Sequence, residues 1–138
     1  MIKFRGIRKD NGKEVFGGYL KEKDNIFLVE PAGCLKHPIC WPVIPESLAQ
    51  YTTINDKSNV EIYGSVEYEK GKMSRGGDIC KAIWQVDRKT TVIGMVKYYG
   101  RFALYALENE ELSLTSPQWD TLEVIGSAYT NPELLEGS

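Results

Sequence analysis

The residues best placed for chemistry lie in "CLKHPIC", where Cys34, His37 and Cys40 follow one another with two residues between each, and Cys80 stands far along the chain as a conceivable fourth ligand. Zinc takes four thiolate, imidazole or carboxylate ligands in a tetrahedron. This spacing, however, is that of neither a finger nor a ribbon. Free cysteines are usually small buried hydrophobes, so the expectation is three such residues, an exposed His37 and no metal or cofactor. A Cys–His nucleophile would need a third group to orient the base, and none accompanies the only histidine. Glu108, Glu110 and Glu111 in "ENEEL" read as a solvated loop, not as an acid/base pair. "RGGD", Arg75 to Asp78, lacks the glycine–lysine spacing of a phosphate loop and reads as a turn. Catalysis is not expected.

Nucleic-acid binding has one candidate segment. "FRGIRKDNGK" brings Lys3, Arg5, Arg8, Lys9 and Lys13 close to Phe4 and Phe16, and basic grooves with stacking aromatics hold single strands. Asp10 and Glu14 offset these charges, and the 138-residue chain has a formal net charge of −2. Residues 1–50 carry 8 Lys and Arg against 6 Asp and Glu, and residues 51–138 carry 9 against 13. That mild split lacks the basic excess of a typical nucleic-acid binder. Of the three tryptophans, Trp84 falls on a doubly apolar run and reads as core. Trp41, between prolines, and Trp119, in an irregular stretch, suit either a subunit contact or the packing of a long loop.

The elements positioning these residues are strands. "IKFRGI" alternates Ile2, Phe4 and Gly6 against Lys3 and Arg5, the period of a half-buried strand. Asp10, Asn11 and Gly12 make a hairpin turn, and "EVFGGYL" and "NIFLVE" continue the layer. Pro31, Pro38, Pro42 and Pro45 argue against regular strand through the next stretch, with a short helical turn around Glu46 to Ala49. Strands follow in "NVEIYGSVEY", "ICKAIWQV", "TTVIGMVKYY", "GRFALYAL" and "LEVIGSAY". Turn signals recur closely enough for a small barrel or strongly curved sheet. The expectation is a mainly β chain: an N-terminal β layer and Pro-rich connection over residues 1–48, then a curved-sheet or β-barrel domain over residues 49–138. One or two short helical turns complete it. Three cysteines suit a reducing compartment, the start has no apolar leader core, and no apolar run nears the roughly 20 residues of a membrane span. A cytoplasmic protein without membrane contact is expected.

The chain's last stretch is "LEVIGSAYTNPELLEGS". Asn131 is placed to cap, Pro132 to occupy the first helical position, and Leu134 and Leu135 to dock on the barrel mouth, so that one helical turn plugs it. With "IKFRGIRKDNGKEVFGGYL", "VIPESLAQYTTINDKSNVEIY" and "VIGMVKYYGRFAL", this ending resembles the YopX family of small bacteriophage and prophage proteins, in the same order along most of the chain. Relative to the family pattern, Gly64 to Arg75 look inserted, as an extra hairpin would be. The resemblance implies a mainly β protein with a barrel-like C-terminal part, a tendency to self-associate into a homo-oligomer, and residence in the bacterial host cytoplasm. It carries no catalytic residues. Candidate interface residues are Trp41, Trp119, Leu134 and Leu135.

Overall fold

A computed structural model describes residues 2–30, 39–100, 104–108 and 112–136. Twelve strands follow in order: β1 Phe4–Ile7, β2 Glu14–Glu22, β3 Asn25–Glu30, β4 Ile39–Val43, β5 Ala49–Asn55, β6 Glu61–Ser65, β7 Glu67–Glu69, β8 Lys72–Met73, β9 Asp78–Trp84, β10 Thr91–Tyr99, β11 Leu104–Leu107 and β12 Trp119–Ser127. Two 3-10 turns, Pro45–Ser47 and Pro132–Leu135, are the helical content among the described residues. The mainly β expectation therefore holds.

Ten strands form one large mixed sheet in the order β12-β9-β10-β6-β5-β1-β2-β3-β4, with β11 also on β10. No closed barrel is found among the described residues. Curvature comes instead from shared and kinked strands. β10 pairs β9 through Thr91–Met95 and β11 through Val96–Tyr99, and touches β6 in parallel at Lys97 and Ser65. β2 pairs β1 up to Gly17 and β3 from Gly18 onward. At the far end, β4 curls back toward β1: Ile44 N donates to Ile7 O at 2.9 Å and Lys9 N to Pro42 O at 3.0 Å. The sheet also runs across position 48/49, because Phe4 and Arg5 of β1 pair Gln50 and Ala49 of β5.

Several local expectations meet their physical test here. The 10–12 turn forms as its residue types require, with Gly12 N donating to Arg8 O and Asn11 Oδ1 accepting from Lys13 N. The Pro-rich stretch does hold a strand, contrary to expectation. Pro42 sits in β4, opposite Phe27, in the last strand of the order, where a missing N–H interrupts little. The extra residues 64–75 contain the anticipated hairpin, β7–β8, as a separate two-stranded sheet. Gly64 and Ser65, however, belong to the central strand β6.

Three apolar clusters lie along the sheet. Val15, Ile26, Leu28, Val43 and Leu48 fill the N-terminal one. Ile62, Cys80, Ala82, Val96, Leu107, Leu114 and Trp119 fill the second. Ile79, Met95 and Ala128 form the third, against which Leu134 and Leu135 pack. Burying each large aliphatic side chain contributes about 1.5–3 kcal/mol, so Leu28 and Val43, both fully buried, anchor the N-terminal strands.

The terminal turn packs on the sheet, where a barrel mouth was expected, and is held differently from a capped helix. Asn131 makes no side-chain cap; its Oδ1 accepts from Ser127 N at 3.3 Å and from Thr130 Oγ1 at 3.0 Å. Leu134 lies directly on Gly126, where an added Cβ would come 2.6 Å from Leu134 Cδ1. The β12 register shifts at this point, between Val124 and Gly126. Gly126→Val should therefore push the turn off the sheet. The expected result is a loss of about 1–3 kcal/mol in urea unfolding, with faster proteolysis after residue 130; an unchanged midpoint and cleavage pattern would refute the docking.

Candidate functional site

Arg5 stands opposite Phe16 on β2 and Ala49 on β5, on the sheet face away from Phe4 and Gly6. Its Nη1 lies 2.9 Å from Asp78 Oδ1, and its Nη2 donates to Gly76 O at 2.7 Å. The guanidinium also covers the Tyr63 ring at 4.6 Å, with Glu14 at 3.8 Å from Nε. Asp78 Oδ2 accepts from Tyr63 N at 2.8 Å. Both side chains are withdrawn from water, at 12% and 4% exposure. Burial pushes the Asp78 carboxyl above its ordinary range, while the Arg5 charge and the Tyr63 N–H pull it back.

Asp78 reaches Arg5 because the chain before it threads through the middle of the molecule. A Cβ on Gly76 would run into the Ser47 carbonyl, and one on Gly77 into the Val96 carbonyl. Gly77 N donates to Ser65 Oγ at 2.9 Å, and Gly77 O accepts from Ala128 N at 2.9 Å. "RGGD" is thus a close crossing and not a turn. Its glycines serve backbone approach; neither has the positive φ of a turn glycine such as Gly71, at +79°.

Beside Arg5 runs an aromatic row. Tyr63 is 5.8 Å from Phe16 and 5.6 Å from Tyr51, centroid to centroid. Lys3 Nζ lies 5.3 Å from the Phe16 ring but also 2.9 Å from Glu61 Oε1, which accepts from the Tyr63 hydroxyl as well. Burial pushes that hydroxyl up to about 12. Arg8 stacks over Trp41 at 4.0 Å and donates to Asp10. Of the five basic residues considered for nucleic acid, three are engaged by carboxylates. Lys9 and Lys13 make no ion pair among the described residues.

The other sequence candidates scatter. Cys34 and His37 lie outside the described residues. Cys40 is exposed on β4, at one end of the strand order, whereas Cys80 is buried on β9, next to the other end. Burial among apolar side chains pushes the Cys80 thiol strongly upward, and among the described residues no metal-binding cluster forms. Glu110 and Glu111 are outside the described residues; Glu108 lies 3.3 Å from Arg75. Trp119, read as either a subunit contact or the packing of a long loop, is 7% exposed and lies 4.7 Å from Trp84 across the β9–β12 pair. Trp41 is half-buried against the N-terminal cluster beneath Arg8. Leu134 and Leu135 pack within the chain and are partly exposed.

Two surfaces were not singled out from sequence. On the outer face of β2–β3–β4, cross-strand pairing aligns Leu20 with Phe27 and Pro42, and Gly18 with Val29 and Cys40. Leu20 is 43% exposed and Cys40 is exposed. The signal was present in "NIFLVE", which is apolar on both faces. The second surface is a groove of about 420 Å³ between residues 54–57 and the 114–122 stretch. Asp56 is among its lining residues. Its Oδ1 accepts from Ser58 N and Val60 N, and its Oδ2 from Val124 N at 3.0 Å, while Lys57 N donates to Leu122 O at 3.0 Å. Burial raises the Asp56 carboxyl, but these three N–H groups outweigh it and hold it below its ordinary range.

Two measurements check this geometry. Arg5→Met leaves Asp78 buried without its counter-charge and should lower stability by about 3–5 kcal/mol; adding Asp78→Asn should restore part of it, and simple additivity in urea unfolding would rule the pairing out. Asp56 has a lowered folded pKa, so its contribution is present above the ordinary carboxylate value near 4 and is lost as pH falls through the folded value. Asp78, with its raised value, contributes with the opposite sign in the same region. Comparison with Asp56→Asn isolates the first effect: wild type should lose more stability from pH 6 to pH 2 than the variant. Parallel profiles would contradict the clamp.

Comparison with curated proteins and with solved structures gives no match. The family described as YopX protein matches residues 3–136, from the start of β1 through the terminal 3-10 turn. The chain belongs to the YopX family.

Proposed function

We propose that this YopX-family protein is a non-catalytic, self-associating binding or assembly module of a bacteriophage or prophage, acting in the cytoplasm of the bacterial host. One observation carries the self-association: the apolar outer face formed by Leu20, Phe27, Val29, Cys40 and Pro42. Contiguous apolar surface exposed on a small protein marks a contact site. The occupant is a second copy of the chain. The adjoining end of β2 and the β2–β3 turn carry Lys21, Glu22, Lys23 and Asp24, two charges of each sign, so a two-fold-related copy can set unlike charges against one another.

A second reading is binding of single-stranded nucleic acid across Phe16, Tyr63 and Tyr51, whose centroids lie under 6 Å apart in sequence along the row. Stacking on such a row is sequence-tolerant. Against it stands the pairing of Lys3 with Glu61 and of Arg5 with Asp78, which leaves little net charge for phosphates.

Size-exclusion chromatography with light scattering separates the two. Wild type should run at a multiple of 15.6 kDa, and Leu20→Glu, an exposed change costing the fold at most about 0.5 kcal/mol, should run as one chain. A monomeric wild type, or an unchanged assembly in the variant, would discard the outer face as the contact. Binding of single-stranded DNA at low salt that fades steeply as salt rises would favour the second reading.

A further inference from the structure

The groove beside β12 has the features of a docking cleft for an extended chain. β12 pairs β9 along one edge. On its other edge, Leu122 O accepts from Lys57 N, and Val124 N donates to Asp56. In a strand a residue's N–H and C=O point to the same side, alternating along the chain. Leu122 N–H therefore also points away from β9, toward the groove and just before the clamp begins, and no acceptor meets it among the described residues. Trp119 lines the same groove, and its indole N–H, in a side chain more than nine-tenths buried, has no acceptor either. Buried donors are nearly always paired, and an open strand edge is a template for another strand.

Shape and charge narrow the occupant. The groove volume of about 420 Å³ falls in the range of sites that enclose small ligands. Its walls combine Ile54, Leu114 and Pro117 with polar side chains. Asp120 lies at its mouth, exposed, with no ion pair or hydrogen bond among the described residues, whereas the neighbouring Lys57 is neutralised by Glu123 at 3.3 Å. The β5 stretch entering the groove holds Thr53 at φ +68°, a left-handed conformation that a β-branched residue rarely adopts. It falls within the β5 irregularity between Tyr51 and Asn55.

We infer that this groove binds a short extended peptide segment of a protein partner, added as a strand to the outer edge of β12 at Asp120–Leu122, with a lysine or arginine of that segment on Asp120. A backbone carbonyl of the segment accepts from Leu122 N–H, with Trp119 lining the groove alongside it. Alternate side chains then face the apolar wall, as in other strand-addition complexes.

The site is separate from the outer face of β2–β3–β4, so its test is independent of self-association. The wild-type protein is titrated with the blocked tripeptides Val-Lys-Val and Val-Glu-Val, followed by ¹H–¹⁵N NMR. The lysine peptide is expected to shift the Leu122 amide and the Trp119 indole signals in one saturating process and to bind at least about tenfold more tightly than the glutamate peptide, a difference of roughly 1.4 kcal/mol. Asp120→Asn, an exposed substitution, should abolish that preference and leave the folded spectrum intact. Absence of shifts at millimolar peptide, shifts confined to other residues, or a lysine preference that survives Asp120→Asn would each overturn the proposal.

Discussion

The buried contact between Arg5 and Asp78 is what the remaining architecture depends on. β1 meets the C-terminal strands through only two paired positions, Phe4 with Gln50 and Arg5 with Ala49. Hydrophobic packing joins the two halves at one place, where Val66 and Tyr68 lie against the Val15–Leu28–Val43 cluster, while the Ile62–Val96–Leu107 cluster is distinct. Arg5 spans them. One guanidinium holds the carboxylate that begins β9, the carbonyl of Gly76 and the ring of Tyr63 on β6. Desolvating such a pair offsets much of its attraction, so its value lies less in net stability than in fixing register. A slip of β1 by one residue would turn Arg5 to the opposite face and take its guanidinium away from Asp78 Oδ1 and Gly76 O.

That contact in turn determines which surfaces remain for other molecules. The basic residues near the N-terminus were the candidates for nucleic-acid contact, but Arg5 is buried in the junction, Lys3 is held by Glu61, and Arg8 is held by Asp10 while shielding Trp41. A cation engaged by a nearby carboxylate contributes little to phosphate binding, since the phosphate must compete with the existing partner. Apolar side chains on the outside of β2–β3–β4 have no such internal partner among the described residues. Neither has Asp120. The surfaces with unmet chemistry therefore differ from the ones with the most conspicuous residue types.

Much of the fold could be read from alternation, and the failures have identifiable causes. β1, β3 and β10 fall where "IKFRGI", "NIFLVE" and "TTVIGMVKYY" place them, because alternation in the first and short β-branched or aromatic runs in the other two are local signals. β4 was missed because proline propensity assumes a ladder donor is needed, and the last strand of the order needs fewer. The Gly76–Gly77 step resembled a turn because glycine signals permissive backbone without saying why it is needed. Here the reason is carbonyls from Ser47 and Val96, residues distant in sequence. Trp119 was assigned to a loop because β12 was read as starting at Leu122; pairing with Trp84 extends it by a bulge. Each miss is a long-range contact acting on a locally ambiguous signal.

The two surfaces left with unmet chemistry lie at opposite ends of the strand order, β2–β3–β4 at one and β12 at the other. Between them stand the junction of Arg5 with Asp78 and the crossing at Gly77, which hydrogen-bonds both Ser65 of β6 and Ala128 just after β12. A peptide on β12 and a second copy on β2–β3–β4 would therefore compete for no residue. They would also act on strands that are tied together by a buried ion pair and by backbone bonds, and not by a hinge. On these grounds the two associations should be additive: occupying the groove has no packed element to shift that would alter the outer face, and coupling requires an element with two arrangements. On the proposed reading, such a protein would hold a partner's segment within a larger assembly, with affinity gained from the number of copies instead of from switching.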